Sequence, residues 1–334
     1  MINFARNDRK DNEIIFNNTA TKLKMNSSII EKDFWVCYVL DYLFNRFKYK
    51  DSLIFKGGTS LSKAYNVIKR FSEDIDLILE WEALGYSDNY LYQERSNNSQ
   101  NKINKELIKK TSDFLSNDFL KELKRGIKEE LGFIPNIKMD ENDKDGCTIN
   151  FYYPSIFKNK YTREEIRLEI GPLAERHPSH NVKVKSYVAD VYPQIFKDPS
   201  TNIRTIDVER TFWEKIIILN TVAIGYKNNR IPPRYARHYY DVYCLANSKY
   251  KAYAFKKKEL LEVDAKFKNK FYYAQKASYD TIHIGNIKLI PNNEIINDLK
   301  KDYAQMNEMF FGEYPTFNDI LKTLKKLEIE INNL

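Results

Sequence analysis

Two aspartates, Asp74 and Asp76, lie two residues apart in the stretch Arg70-Phe71-Ser72-Glu73-Asp74-Ile75-Asp76-Leu77. In an extended strand, residues at that spacing project from one face, so both carboxylates aim the same way. Side by side they repel unless a cation sits between them. A hard divalent ion, Mg2+ or Mn2+, suits such a pair, with phosphate oxygens completing its shell. Just upstream, the apolar run Leu53-Ile54-Phe55 reads as the end of a buried strand, followed by Lys56, Gly57, Gly58 and the hydroxyls Thr59 and Ser60. A Gly-Gly turn leading into a helix lets backbone N–H groups approach an anion closely. One short stretch therefore offers a phosphate cradle (Lys56, Gly57, Gly58, Thr59, Ser60) beside a metal-binding acid pair. Arg70 is a further cation close by in sequence for the same phosphates. A P-loop is excluded, because Gly57-Gly58-Thr59-Ser60-Leu61-Ser62-Lys63 lacks the second glycine of G-x-x-x-x-G-K-[ST]. The plain structural reading of the same residues is a strand–turn–helix–strand unit with solvated acids.

A second candidate lies far downstream. At about 100° per residue, Val208, Phe212, Lys215 and Leu219 share one helix face. An ammonium on an apolar stripe is costly without an anion, so Lys215 requires a partner. That partner is either an internal carboxylate or a nucleotide phosphate. Further on, Arg234, Arg237, His238 and Asp241 share one side of a helix opened by Pro232-Pro233, which allows an exposed Arg237–Asp241 ion pair.

Gly-Gly-[Ser/Thr] followed by Asp-x-Asp resembles the signature of the polymerase-β-like nucleotidyltransferases. The particular form here, KGGTSLSK with RFSEDIDL, resembles the AbiEii family of bacterial toxins, which includes the MenT toxins. ERTFWEKIIIL and RHYYDVYCL resemble the family's lysine motif and terminal acid motif, and Glu31-Lys32-Asp33 resembles the opening of its second helix. The likeness spans residues from about 30 to 245. Thr59 replaces the superfamily's serine, and the thirteen residues between Ser60 and Asp74 imply a longer connecting helix. The resemblance implies a nucleotide-facing role for Lys215. For Asp241 it implies a part in positioning the nucleotide or the incoming nucleophile. The superfamily also needs a third acid on a neighbouring strand, and Glu169 in the alternating run REEIRLEIGP is the best-placed candidate; an ordinary edge-strand glutamate is the other reading. For Glu31-Lys32-Asp33 a charged first helical turn is the favoured reading.

The implied reaction moves a nucleoside monophosphate from an NTP to an acceptor hydroxyl. Asp74, Asp76 and Glu169 would hold two metal ions, and Lys215 and Asp241 would join them in catalysis. By resemblance the acceptor is the tRNA 3' end, with other RNA or protein as the alternatives that other members of the family leave open, and the setting is a toxin–antitoxin or phage-defence system with a cognate antitoxin encoded nearby. Two rivals use the same residues differently: a glycosyltransferase whose Asp-x-Asp binds a metal–diphosphate, and a non-enzymatic nucleotide- or RNA-binding protein.

The elements that must carry these residues follow from the hydrophobic period. Helical spacing runs over residues 10–24, Ile29–Phe47, Leu61 to about Lys69, and Lys105–Leu131 with a break near Ser116-Asn117. Strands are expected at Phe133–Met139, Gly146–Tyr153, Glu164–Gly171 and Val182–Val188, and residues 190–202 read as a connector. From Asp207 the pattern is helical to the end. The expected class is α+β, a polymerase-β-like core of mixed sheet and helices over residues 1–200 with a helical C-terminal domain over 201–334.

Bulk composition agrees with an ordered globular chain: 334 residues, 43% hydrophobic, 30% charged, with only ten glycines and ten prolines. The surplus of 54 basic over 46 acidic residues is compatible with an RNA or nucleotide partner. Three scattered cysteines form no CxxC pair and indicate a reducing, cytoplasmic setting. The charged N-terminal residues lack the apolar segment of a secretory leader. No run of about 18 apolar residues suggests a membrane span.

Overall fold

The computed structural model describes residues 1–133, 135–158, 163–225, 231–272 and 279–334. They fall into two compact units. The first comprises Met1–Ala64, Ser72–Glu94 and Ile103–Thr205; the second comprises Tyr65–Phe71, Arg95–Lys102 and Ile206–Leu334.

The first unit holds a mixed sheet ordered β3-β4-β5-β2-β1-β7-β6. Its strands are β1 (Leu53–Lys56), β2 (Ile75–Leu79), β3 (Asn136–Met139), β4 (Thr148–Tyr152), β5 (Glu165–Gly171), β6 (Ser179–Val184) and β7 (Thr201–Ile206). The helices up to the end of this unit are α1 (Ile2–Ala5), α2 (Arg9–Leu23), α3 (Ser27–Asn45), α4 (Gly57–Lys63), α5 (Asp88–Leu91), α6 (Asn97–Phe114, of which the residues up to Lys102 fall in the second unit), α7 (Leu120–Leu131) and α8 (Tyr187–Val191). A π-turn over Leu115–Phe119 separates α6 from α7, where a break is expected. The order of elements gives the α+β class and the mixed sheet expected of the sequence.

Three expectations need correction. The strand expected at Val182–Val188 ends at Val184, and Tyr187 and Val188 open helix α8, which Ser186 caps by accepting the Ala189 N–H. The helix opening at the glycine pair ends at Lys63, so the thirteen-residue spacer does not lengthen it. Tyr65–Phe71 instead belong to the second unit. There Phe71 N–H donates to Met309 C=O at 2.7 Å, and Phe311 N–H donates to Lys69 C=O at 2.9 Å. Residues 190–202 are also more than a connector, since β7 begins at Thr201 and pairs in parallel with β1 through Phe55 and Thr205. Of the strand expected at Phe133–Met139, residue 134 lies outside the described residues, and pairing begins at Asn136.

Helix α3 is the spine of the first unit. Asn26 caps it by accepting the Ser28 N–H at 2.9 Å. Its first turns bury Glu31, Lys32 and Asp33, the charged turn favoured from sequence. Each of the three clamps a different segment. Glu31 accepts backbone N–H groups of Ile156 (2.7 Å) and Phe157 (3.1 Å). Lys32 pairs with Glu73 at 2.7 Å, and Asp33 pairs with Lys63 at 2.6 Å while accepting the Tyr187 N–H at 2.7 Å. Lys32 and Asp33 are both ion-paired and hydrogen-bonded, and Glu31 is held by hydrogen-bond donors, which is how buried charges are offset.

The second unit is helical: α9 (Val208–Gly225), α10 (Ala236–Ala246), α11 (Tyr250–Lys256), α12 (Glu259–Phe271), α13 (Asn293–Ala304) and α14 (Phe317–Asn332). No helix among the described residues is long and apolar enough to cross a membrane.

Helix α7 packs on α3 through Gly126, where an added Cβ would stand 1.8 Å from the Tyr42 hydroxyl. Gly126→Ala gains about 1 kcal/mol of helix propensity. Overpacking costs about 1–3 kcal/mol. The expected net result is lower stability in urea denaturation. Adding Tyr42→Phe should recover part of that loss, and no recovery would contradict the packing assigned here.

Candidate active site

The chain leaves β1 at Lys56 and turns at Gly57, which sits at φ +80°, a backbone region that favours glycine. The turn has a second requirement. A Cβ on Gly57 would lie 1.9 Å from Asp76 Oδ2, so the bare backbone of the turn rests against the Asp76 carboxylate. The antiparallel register pairs Lys56 with Asp76. Gly58 follows as the second residue of α4. Thr59 and Ser60 are fully buried. The Thr59 hydroxyl donates to the Asp74 carbonyl, and the Ser60 hydroxyl donates to the Gly57 carbonyl at 2.8 Å. Each hydroxyl has one proton, and both are engaged inside the turn. In this arrangement the two side chains build the turn and fasten it to Asp74; they do not extend donors outward, as the sequence reading had them do for a triphosphate.

Asp76 lies within β2, and Asp74 immediately precedes it. Strand β2 runs parallel to β5, and the register sets Asp76 beside Glu169. Strand β5 buries Ile166, Leu168 and Ile170, leaving Arg167 and Glu169 on the other face. The Glu169 side chain is 43% exposed, with Arg167 Nη2 3.5 Å from its Oε1. Asp74 is only 17% exposed, and its Oδ1 accepts no hydrogen bond among the described residues. Its charge contact is Arg163 Nη1 at 3.7 Å, a residue that no spacing in the sequence singles out.

Among the described residues, no three acidic, histidine or cysteine side chains converge into a ready metal cage. Uncompensated carboxylates do not crowd together. Mg2+ in any case is commonly held by one or two carboxylates plus substrate phosphates rather than by an all-protein cage. The donor set still fits a hard divalent cation. It offers carboxylate oxygens only, one of them buried without a hydrogen bond, in a place where Asp76 and Glu169 are register neighbours.

Lys215, Asp241 and Arg70 belong to the second unit and form one buried cluster. Arg70 grips Asp241 with two parallel bonds, Nε to Oδ1 at 2.7 Å and Nη2 to Oδ2 at 2.8 Å. Lys215 Nζ lies 2.8 Å from Asp241 Oδ2 and 3.5 Å from His238 Nδ1. The anion that Lys215 requires is therefore an internal carboxylate, where the sequence reading favoured a phosphate. The arginine on Asp241 is the distant Arg70, not Arg237, and the pair is buried. Burial alone would raise the Asp241 pKa, but Arg70 and then Lys215 outweigh it and hold it well below the usual carboxylate range. Burial, with Lys215 and Arg237 beside it, pushes His238 well below its ordinary value, so its imidazole is neutral at pH 7.

The family model described as "Nucleotidyl transferase AbiEii toxin, Type IV TA system" matches residues 39–323. No curated protein sequence gives a match. Among solved structures, MenT4, a nucleotidyltransferase toxin from Mycobacterium tuberculosis H37Rv, is similar over 96% of this chain and 97% of its own. Its sequence identity is 13% and its TM-score 0.47.

Two outcomes follow from this geometry. Gly57→Ala must displace the Asp76 carboxylate and strain the turn. It should lower nucleotidyltransferase activity while the protein still melts cooperatively; full activity would refute the contact. Asp241→Asn leaves two buried cations without their anion and should cost about 3–5 kcal/mol in denaturant titrations. Because the folded pKa is depressed, this contribution is complete above the unfolded value of about 3.9 and fades as pH falls below it. The wild-type minus variant difference should be flat from about pH 5 to 8 and shrink only in stronger acid.

Proposed function

We propose a specific reaction for this chain, which belongs to the AbiEii nucleotidyltransferase toxin family of type IV toxin–antitoxin systems: transfer of a nucleoside monophosphate from an NTP to an acceptor hydroxyl, with the tRNA 3' end as acceptor. The observation that supports it most is the register of β2 on β5, with Asp76 beside Glu169 and the Gly57 backbone against the same carboxylate. An acid pair beside a side-chain-free turn accommodates a triphosphate and its cation in one place.

In this reading Asp74, Asp76 and Glu169 hold divalent cations, Mg2+ or Mn2+. When bound, these lower the pKa of the attacking hydroxyl and stabilise the leaving pyrophosphate. The acceptor oxygen forms a bond to the α-phosphorus as the bond to the bridging oxygen breaks. Pyrophosphate leaves with that electron pair, and the hydroxyl proton passes to the partly exposed Glu169. The protein's own work is positioning and electrostatics. Backbone N–H groups of Gly57 and Gly58 meet the triphosphate, Lys56 adds a cation, and Thr59 and Ser60 keep the turn fixed on Asp74. Lys215 meets developing negative charge, while Asp241 and Arg70 are positioning residues that hold its ammonium in place. The setting is the cytoplasm, where NTPs and tRNA are abundant, and the neutralising partner is an antitoxin encoded nearby. Phage defence is one use of such a pair.

The test is incubation with each of the four α-labelled NTPs, Mg2+ and total tRNA. Label from at least one nucleotide should enter RNA, EDTA should stop it, and Asp76→Asn should reduce it by at least about a hundredfold. Equal labelling by the wild type and Asp76→Asn, or no transfer from any nucleotide, would end this reading.

A further inference from the structure

Arg163 stands out among the charged residues of the first unit. Its side chain is 38% exposed at the entrance to β5, and its Nη1 is 3.7 Å from Asp74 Oδ1. That distance allows attraction but is too long for a hydrogen bond. Among the described residues the guanidinium has no other side-chain contact. Its planar fork of donors, the arrangement best matched to phosphate oxygens, is therefore unengaged beside Asp74.

The backbone of the same residue is held with unusual care. Lys32 Nζ, fully buried, donates to the Arg163 carbonyl at 2.8 Å and to Glu73 Oε2 at 2.7 Å. The Arg163 N–H donates to that same Glu73 oxygen at 3.4 Å. Both polar groups of one peptide residue thus end on a single buried ion pair. Glu73 is also the chain neighbour of Asp74. A buried ion pair is a poor source of stability, because desolvation offsets most of its attraction. This one fixes the position of one partly exposed arginine relative to the half-buried Asp74.

We propose that Arg163 is a substrate-binding residue that takes a phosphate group at the Asp74 side of the site, and that Lys32 and Glu73 are the residues that position it. The proposal rests on the nucleotidyl-transfer reading above. The phosphate belongs to the triphosphate of the incoming nucleotide or to the acceptor strand; the chemistry recognised is the same, and two measurements separate the sources. The competing account makes Arg163 only a counter-ion for Asp74. Removing it would then leave phosphate affinity unchanged or improve it, since a carboxylate is freed for a cation.

The experiment compares wild type, Arg163→Ala, Arg163→Lys and Lys32→Met/Glu73→Leu. Binding of α,β-methylene NTP analogues with Mg2+ is measured without acceptor, and the KM for tRNA is measured with NTP. Arg163→Ala should weaken one of the two by about tenfold, the size of a lost charge-assisted hydrogen bond. Its Tm should stay near that of the wild type, because the side chain is partly exposed. Arg163→Lys should recover part of the loss. The Lys32→Met/Glu73→Leu protein should show the same defect, with no further loss when Arg163→Ala is added. Weaker analogue binding assigns the nucleotide; a raised tRNA KM with normal analogue binding assigns the acceptor strand. Unchanged or tighter values for Arg163→Ala in both measurements, with an active wild type, overturn the proposal alone. A wild type that binds no analogue and modifies no RNA overturns the transfer reading and this proposal together.

Discussion

The first unit is constrained by a single close approach, that of the Gly57 backbone to the Asp76 carboxylate. The 1.9 Å that a Cβ would leave is about half an ordinary van der Waals contact, so no side chain can occupy the position without displacing the carboxylate. Several features follow from holding backbone and carboxylate together there. Strand β1 must end at Lys56, the turn must enter a left-handed conformation, and β2 must start with its acids on the turn side. The hydroxyls of Thr59 and Ser60 close the arrangement from within by bonding the two carbonyls that border it. A turn that lacked those bonds would be free to swing away from a negatively charged neighbour.

Charge is buried in both units, and it is resolved by the same device. In the first, Lys32 and Glu73 neutralise each other and use their remaining capacity on the backbone of Arg163. In the second, Asp241 is shared between Arg70 and Lys215. In each case one ion pair secures groups far apart in sequence, which packing of apolar side chains alone would locate less sharply. The desolvation cost is several kcal/mol per ion before attraction is counted. Stability is therefore a weak reason for these pairs, and the geometry they enforce is the stronger one.

What could be read from the sequence divides along the same line. Asp74, Asp76 and the glycine turn were legible because strand period and glycine chemistry are local. Glu169 was legible as a candidate through the alternation of Ile166, Leu168 and Ile170, although only the register of β5 on β2 sets it beside Asp76. Strand β7 carried a readable alternation too, with Ile203 and Thr205 buried and Arg204 turned away, but the two prolines before it drew that stretch into a connector. The helix expected through Lys69 failed for a different reason. Tyr65, Ile68 and Phe71 have helical spacing, yet Asn66 takes φ 51° and the segment bonds to residues 309–311, nearly 240 positions away. The partner of Lys215 was hidden in the same way, since the choice between carboxylate and phosphate depends on where Asp241 and Arg70 arrive in space. The role of Lys32 went unseen because a charged first turn looks the same in sequence whether it faces water or a buried glutamate.

The choice first posed for Lys215, an internal carboxylate or a substrate phosphate, turns out not to be exclusive once charges are counted. Arg70 and Lys215 bring two positive charges to the cluster, Asp241 brings one negative charge, and His238 is kept neutral. These three ionised side chains sum to plus one, and Arg237 is a further cation beside His238. A purely structural cluster would be cheaper with one cation fewer, since each buried ion pays for its own desolvation. Asp241 holds the Lys215 ammonium in a fixed place without cancelling the pair of cations around it. An internal carboxylate shared in this way is what an ammonium needs if it is to be both held in a folded protein and still attractive to an incoming anion.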